Sequence, residues 1–215
     1  EIVALVGRTG CGKSTVARLL PRFYDVNKGA VLVDGIDIRD LTVESLRNHI
    51  AQVPDEAFLF SESISNNIAF ARPNAPDSEI KQAATAAQAH NFINELDNSY
   101  DEIVGERGYT LSGGQRQRIT IARALLSEPQ ILILDDATSA IDAEVESMIH
   151  KALTQLVVNR TTILIAHRLS TISFANRVIL IEAGQVAAQG THQELMATVP
   201  QYEAILASGN SKEKL

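Results

Sequence analysis

The chain has 215 residues, of which 45% are hydrophobic and 21% charged. This composition is typical of a globular chain and excludes the disordered and collagen-like classes. The formal net charge is −7, so the overall field disfavours binding to nucleic acid, and any bound anion must be held by a local group of donors. Cys11 is the single cysteine, so no internal disulfide can form and no oxidising compartment is required.

The apolar runs are too short to cross a membrane. The longest, at 131–134 and 178–181, contain only a few residues, whereas a membrane-spanning helix needs about 20. The sequence opens on an apolar run at 2–6 and has no initiator methionine. It also has no basic stretch or cleavage site of the kind a signal peptide carries. We therefore expect a soluble fragment that begins within or just before a strand.

Short β-branched runs bounded by turn residues predict the strands. In chain order these runs lie at 2–6, 30–33, 131–134, 161–165 and 178–181. Several are apolar on both faces, as buried parallel strands are. Asp34-Gly35 and Ala183-Gly184 each separate two extended runs, which predicts two antiparallel β-hairpins. The pattern therefore predicts an α/β fold with a mixed sheet.

Helical patterns separate the strands. The clearest lies at 145–156, where apolar residues recur at the spacing of an amphipathic helix. From about 63 to 127 strand signals vanish and helical patterns dominate, notably at 77–89. We expect residues 1–60 and 129–215 to form the two parts of an α/β core, and residues 61–128 to form an inserted helical subdomain.

Residues 7–14 match the phosphate-binding pattern G-x-x-x-x-G-K-[ST], between an apolar strand and a helical pattern. They are Gly7, Arg8, Thr9, Gly10, Cys11, Gly12, Lys13 and Ser14. The glycines let backbone amides surround an anion, Lys13 adds a positive charge, and the Ser14 hydroxyl can ligate Mg²⁺. We therefore predict a nucleotide site, with Thr15 among its residues. Thr15 also stands where a dinucleotide-binding G-x-G-x-x-G pattern needs its third glycine, which disfavours NAD.

Two further segments suit the same chemistry. Asp135 and Asp136 follow an apolar strand, where carboxylates can hold Mg²⁺ and polarise water. A strand followed by an acidic helix cap explains these two residues equally well. The second segment, Ser112, Gly113, Gly114 and Gln115, opens a helix. It offers a second group of amide donors, or simply a cap and a flexible turn.

In order and spacing, these motifs closely resemble the nucleotide-binding domain of ATP-binding-cassette (ABC) transporters over nearly the whole chain. Residues 7–14 resemble the Walker A loop, 111–115 the family signature, 131–135 Walker B, 139–142 the D-loop, and His167 the switch histidine. The segment at 102–108 resembles one that contacts the membrane domains in exporters. The resemblance thus favours export over import.

The resemblance implies a P-loop NTPase fold, ATP and Mg²⁺ as cofactors, and ATP hydrolysis coupled to export. Ser14 and Asp135 would hold Mg²⁺, while Asp136 and His167 would position water and the γ-phosphate. ATP on Walker A would be covered by the signature of a second nucleotide-binding domain in a head-to-tail dimer, with Asp142 of the D-loop also in the nucleotide-binding set. Closure of this dimer at the cytoplasmic face of a membrane would move the attached transmembrane domains.

Two positions depart from the family pattern. The family has a glutamate base after Walker B, but here that position is Asp136. Aspartate is one methylene shorter, which withdraws its oxygens by roughly 1.5 Å, and a displacement of ~1 Å can cost about a hundredfold in rate. The family also has a Pro-Gln pair whose glutamine approaches Mg²⁺ and the attacking water, and here that pair is Pro54-Asp55. Asp55 could still ligate Mg²⁺, but its charge is unfavourable beside a γ-phosphate.

These departures predict a degenerate site that binds ATP well and hydrolyses it slowly. We therefore expect one half of a heterodimeric exporter with unequal ATP sites. The alternatives are a homodimer in which both sites are slow, or carboxylates that were introduced by engineering. A second hypothesis is a regulatory ATP-binding module with negligible hydrolysis. A third, a soluble ABC ATPase for DNA repair or translation, is disfavoured by the acidic charge and by the exporter-like segment. The transported compound is not encoded here.

The remaining candidates have structural explanations. His49, His90, His150 and His192 are interpreted as surface or packing residues, and no Cys/His spacing suggests zinc. We interpret Cys11 as a small residue that fits the loop rather than as a modifiable thiol. Arg116, Arg118 and Arg123 are interpreted as interfacial or solvated.

Overall fold

The computed structural model describes residues 1–135, 160–166, 169–173 and 175–210. Its strands are β1 (Ile2–Val6), β2 (Leu32–Val33), β3 (Ile36–Asp37), β4 (Ile50–Val53), β5 (Ile131–Asp135), β6 (Thr161–Ile165), β7 (Arg177–Glu182) and β8 (Gln185–Gly190). Its α-helices are α1 (Lys13–Leu19), α2 (Val43–Asn48), α3 (Ile64–Ile68), α4 (Asp77–Ala86), α5 (His90–Asn94), α6 (Gly113–Leu126), α7 (Leu169–Ile172), α8 (His192–Thr198) and α9 (Pro200–Asn210). Single turns of 3₁₀-helix lie at Ile38–Asp40, Ala69–Ala71, Ser99–Asp101 and Glu106–Gly108.

The chain forms two compact units. Among the described residues, the first unit contains 1–50, 130–135 and the residues from 160 onward, and the second contains 51–129. None of the helices in these described parts combines the length and the apolar character needed to cross a bilayer.

The main sheet has the strand order β4-β5-β6-β1-β7-β8. Strand β1 pairs in parallel with β6 and β7, and β5 pairs in parallel with β6. Strand β8 is antiparallel to β7, so the prediction of a mixed sheet in an α/β fold is confirmed. Side chains of the central strands are buried on both faces, as the continuous apolar runs predicted.

Both predicted hairpins are present, with two-residue turns. Asp34 and Gly35 have φ of 49° and 81°, and Ala183 and Gly184 have φ of 48° and 77°. Positive φ at both central residues is the geometry of a type I′ turn, whose twist matches that of the strands it joins. The predicted strand at 30–33 is shortened to β2, because its partner β3 has two residues before the 3₁₀ turn begins.

The core of the first unit lies between the sheet and α1. Its buried cluster consists of Leu5, Cys11, Ala17, Ile133, Ile165 and Ile181. Four of these residues belong to adjacent parallel strands, and Ala17 comes from the helix that follows β1. The loop between β1 and α1 is therefore held directly against the end of the sheet.

The second unit is organised around α6, which packs against α3 and α4. Ile119, Ala122 and Leu126 of α6 are buried, at the spacing of an amphipathic helix. The predicted helix at 77–89 ends earlier, at Ala86, because Gln88 takes a left-handed conformation with φ of 58°.

Candidate nucleotide-binding site

The loop between β1 and α1 depends on glycine at its first position. A Cβ atom on Gly7 would lie 2.3 Å from the backbone oxygen of Ile181 and 2.6 Å from Cys11 Sγ. Gly10 and Gly12 have φ of 81° and 110°, a region that residues with side chains rarely adopt. The sequence thus folds here into a tight turn whose backbone is free to approach an anion.

The Lys13 side chain stabilises this loop through two hydrogen bonds. Its Nζ donates to the backbone oxygen of Gly7 over 2.8 Å and to that of Arg8 over 3.1 Å. The residue is only 6% exposed. A positive charge is therefore fixed at the loop next to the N-terminus of α1, where it favours a bound anion.

Cys11 joins the loop to the core. It is buried within the cluster under α1, and its backbone oxygen accepts a hydrogen bond from the Gly184 amide over 3.2 Å. The turn of the β7–β8 hairpin therefore supports the loop. This placement favours the interpretation of Cys11 as a small packing residue.

Ser14, Thr15 and Asp135 belong to the same unit. Ser14 and Thr15 are exposed in the first turn of α1, and Asp135 is the half-buried last residue of β5, paired in register with Ile165. Because β5, β6 and β1 are parallel, Asp135 and the loop after β1 follow the same edge of the sheet. A hydroxyl and a carboxylate suit Mg²⁺.

No group of three or more His, Cys, Asp and Glu side chains within the described residues could hold a metal ion. Magnesium is commonly held by one or two protein oxygens together with substrate phosphates. The described residues thus fit Mg²⁺ that arrives with a nucleotide.

The second predicted donor group opens α6. Ser112 is the exposed N-cap, and its hydroxyl oxygen accepts a hydrogen bond from the Gln115 amide over 3.2 Å. Gln115 Oε1 in turn accepts from the Ser112 amide over 2.8 Å. These two bonds form a capping box, and the first turn of α6 carries no acidic residue. Its positive end can therefore accept an anion.

Asp55 lies on an exposed stretch that follows β4. The stretch borders a cleft of about 660 Å³ within the second unit, which Phe58, Arg107, Tyr109 and Arg116 also line. Phe58 and Tyr109 are exposed, Tyr109 to 73%. Neither Phe58 nor Tyr109 is identifiable from the sequence, since a single exposed aromatic residue has no distinctive sequence pattern.

The segment at 102–108 runs beside residues 62–64. Ile64 donates its amide to the Glu102 oxygen over 3.0 Å, and Val104 donates to the Glu62 oxygen over 3.1 Å. Ser63 and Ile103 form an isolated antiparallel bridge. This pairing holds Ile103 with its side chain exposed.

The interpretation of Arg123 as interfacial or solvated is wrong. Its guanidinium donates to the Asn67 backbone oxygen over 2.7 Å, to Asn67 Oδ1 over 2.9 Å and to the Phe58 oxygen over 3.2 Å. The Arg123 Cζ atom lies 5.5 Å from the centroid of the Phe60 ring and 5.7 Å from that of Phe70. Burial lowers the pKa of Arg123 to about 10. Arg123 therefore fixes the segment beside the cleft.

Arg118 and Arg116 also make intramolecular contacts. Arg118 donates to the Gln88 oxygen over 2.9 Å and lies 4.7 Å over the Phe92 ring. Arg116 donates to the Leu111 oxygen over 2.6 Å. Both arginines therefore bind backbone carbonyls of their own unit.

Asp136, Asp142 and His167 lie outside the described residues, as does the helix predicted at 145–156. Their roles as base, D-loop residue and switch histidine stay predictions.

Comparison with known proteins identifies a family that the chain matches. The family model for "ABC transporter" matches residues 1–139. The chain is 50% identical over 205 residues to the ATP-dependent lipid A-core flippase of Desulfotalea psychrophila, covering 95% of this chain and 36% of that protein. It is also 50% identical over 210 residues to a putative multidrug export ATP-binding/permease protein of Staphylococcus aureus, covering 98% of this chain and 36% of that protein.

Among solved structures, a bacterial Atm1-family ABC exporter with ATP bound superposes with a TM-score of 0.92 at 44% sequence identity. The match covers 96% of this chain and 36% of that one. The chain thus spans a little over a third of the length of each of these relatives.

Proposed function

Because this chain belongs to the ABC transporter family, we propose that it is the ATP-binding and ATP-hydrolysing domain of a membrane exporter. The relatives, a flippase, a putative multidrug export protein and an Atm1-family exporter, support this direction of transport. The observation that carries the proposal is the glycine-containing loop at 7–12. The Lys13 side chain donates hydrogen bonds to this loop, and helix α1 begins directly after it.

In this function the loop amides and Lys13 neutralise the phosphates of ATP. Ser14 and Asp135 would hold Mg²⁺, which would supply positive charge to neutralise the phosphates. Asp136 orients the attacking water, and His167 contacts the γ-phosphate. In this proposal residues 1–60 and 129–215 form the ATP-binding core and 61–128 form the helical subdomain, although by their contacts residues 51–60 and 129 belong to the second compact unit.

A second nucleotide-binding domain completes the site. Its residues 112–115, together with Asp142, would cover ATP on the Walker A loop of the first, in a head-to-tail arrangement. The exposed Ser112 and the absence of acidic residues from the first turn of α6 support this role. ATP binding then closes the dimer, and hydrolysis opens it.

The transmembrane domains of the same transporter would dock at the cleft beside Asp55. Exposed aromatic side chains at Phe58 and Tyr109 supply the apolar contact area that protein interfaces favour. The adjoining segment at 102–108 resembles the exporter segment that makes this contact. The domain would thus act at the cytoplasmic face of a membrane.

A regulatory module with negligible hydrolysis is the second candidate. The observation that favours it is the pair of aspartates, Asp136 and Asp55, at positions where the family has glutamate and glutamine. In this version ATP binding stabilises the dimer, and the partner domain performs most of the hydrolysis.

Titration of the purified chain with ATP tests the proposal. We expect saturable binding that requires Mg²⁺, with phosphate release over time. Lys13→Ala should weaken ATP binding by at least about tenfold, since a charge-assisted contact of ~1.4 kcal/mol or more is lost. Lys28→Ala, a change at an exposed lysine outside the loop, should leave binding unaltered. Absence of Mg²⁺-dependent binding in folded protein would refute the proposal.

A further inference from the structure

The β7–β8 hairpin lies directly against the phosphate loop, although the two are distant in sequence. Strand β1, which leads into the loop, pairs in parallel with β7. At the start of the loop, a Cβ atom on Gly7 would lie 2.3 Å from the Ile181 backbone oxygen. Near the end of the loop, the Gly184 amide donates to the Cys11 oxygen over 3.2 Å. The hairpin therefore contacts the loop on both sides of its turn.

The register of the hairpin shifts next to this contact. Leu180 pairs with Ala188, but Ile181 pairs with Val186, so Ala187 is an extra residue on β8. Two residues opposite one is the arrangement of a β-bulge, which bends a strand and increases its local twist. The bulge therefore sets the direction in which the end of the hairpin meets the loop.

The hydrogen bond from Gly184 fixes the orientation of one peptide group of the loop. In a trans peptide the carbonyl and the following amide point in opposite directions. Because the Cys11 carbonyl is directed at the Gly184 amide, the Gly12 amide is directed away from the hairpin. Gly12 has φ of 110°, and glycine has more backbone freedom than any other residue. The bond from Gly184 thus opposes rotation of a peptide group next to a freely rotating residue.

We propose that Gly184 is a positioning residue for ATP binding: its amide holds the Cys11–Gly12 peptide group in the orientation in which the Gly12 amide meets a phosphate oxygen. Gly184 itself does not contact the nucleotide, because its amide is committed to the Cys11 oxygen. Hairpin order and ATP binding are then linked, since a contact that favours ATP binding is itself favoured when ATP binds. The inference rests on the proposed function, in which the loop amides bind the phosphates of ATP.

The β2–β3 hairpin provides a matched control. Both hairpins have type I′ turns, in which φ is 81° at Gly35 and 77° at Gly184. A Cβ atom added to either glycine would have nothing within 4 Å. The same substitution thus imposes the same backbone strain at both positions without a clash. Valine is strained at such φ values, whereas asparagine adopts them readily. Of these two described turns, the one at Gly184 donates a hydrogen bond to the phosphate loop.

Titration of three variants of the 215-residue chain with ATP in the presence of Mg²⁺ tests the proposal. Gly184→Val should displace the turn and weaken ATP binding by about fivefold or more, which corresponds to the loss of one neutral hydrogen bond. Gly184→Asn should retain the affinity of the unaltered chain, because asparagine keeps the left-handed conformation. Gly35→Val should lower the unfolding temperature as Gly184→Val does and leave ATP affinity unaltered.

Hydrogen exchange of single amides, followed by NMR, measures the linkage in the unaltered chain. Exchange of the Gly184 amide should slow by about fivefold or more at saturating ATP, because linkage is reciprocal. Exchange of the Gly35 amide should not respond to ATP. This measurement needs no substitution, so it decides the proposal even where Gly184→Val fails to fold.

Three results would overturn the proposal. Equal ATP affinity in folded Gly184→Val and the unaltered chain would show that the contact is only structural. Equal weakening in Gly184→Val and either of the other two variants would assign the effect to strain or to side-chain bulk. An exchange rate at Gly184 that ATP leaves unaltered would exclude the linkage. Failure of the unaltered chain to bind ATP would instead refute the proposed function, and with it the inference.

Discussion

Gln117 Nε2 donates a hydrogen bond of 3.0 Å to the backbone oxygen of Pro54. Gln117 is 1% exposed, so its side chain is committed to this contact inside the second unit. Pro54 immediately precedes Asp55, which the family resemblance assigns to Mg²⁺ and the attacking water. The helix that begins with the signature therefore also fixes the backbone leading to Asp55.

Gln117→Leu should lower the free energy of unfolding by about 1–3 kcal/mol, because the half-buried Pro54 oxygen loses its donor while the volume is retained. Urea unfolding followed by circular dichroism measures the change. Gln82→Leu, on the exposed face of α4, is the control and should alter stability by less than about 0.5 kcal/mol. Equal midpoints for the two variants would contradict the prediction.

Gly7→Ala should disrupt the phosphate loop. The added Cβ would lie 2.3 Å from the Ile181 backbone oxygen, so the loop or strand β7 must shift, and overpacking of this kind costs about 1–3 kcal/mol. We expect a lower unfolding midpoint and weaker ATP binding by titration. Gly29→Ala separates this clash from backbone strain, since Gly29 has φ of 77° with nothing within 4 Å of an added Cβ. ATP affinity should be normal in that control, and equal loss in both variants would exclude the clash as the cause.

Asp37 should titrate well below an ordinary aspartate. Hydrogen bonds from the Arg39 side chain and backbone lower the pKa of Asp37 from 3.8 to about 2. Because the pKa of Asp37 is lower in the folded than in the unfolded chain, its ionised carboxylate stabilises the fold. This contribution is fully present above about pH 3.8 and is lost as the pH falls towards about 2. Carboxyl-carbon NMR measures this pKa directly.

Arg39→Met should raise the pKa of Asp37 towards its ordinary value, since it removes the side-chain hydrogen bond that contributes most to the shift. Lys28→Met is the control, because Lys28 is not among the groups that shift Asp37. A pKa for Asp37 that is the same in both variants would show that the guanidinium is not responsible.

Asp136→Glu should raise the rate of ATP hydrolysis. The extra methylene moves the carboxylate towards the water by roughly 1.5 Å, and a displacement of ~1 Å corresponds to as much as a hundredfold in rate. Phosphate release at saturating ATP measures this hydrolysis rate. It should be measured for the chain alone and for the chain mixed with a partner domain that supplies a second signature. Asp97→Glu, at an exposed position, should have no effect. Unaltered turnover in Asp136→Glu would remove the support for a degenerate site.

The local features of the site follow from neighbouring residues and were predictable. The turns at Asp34-Gly35 and Ala183-Gly184 and the phosphate loop all depend on backbone conformations that a short sequence pattern specifies. The N-cap at Ser112 is equally local, since its partners lie within one helical turn. For these features the sequence alone determined the structure.

The roles of Arg123 and Gln117 were decided only by tertiary structure. Arg123 meets Asn67 across 56 positions of sequence, and Gln117 meets Pro54 across 63. A buried arginine and a solvated one look the same in a sequence, because the difference lies in which carbonyl groups the packing of α3, α6 and the segment after β4 brings within hydrogen-bond distance. Burial also makes these bonds necessary, since a polar group removed from water must find a partner inside the protein.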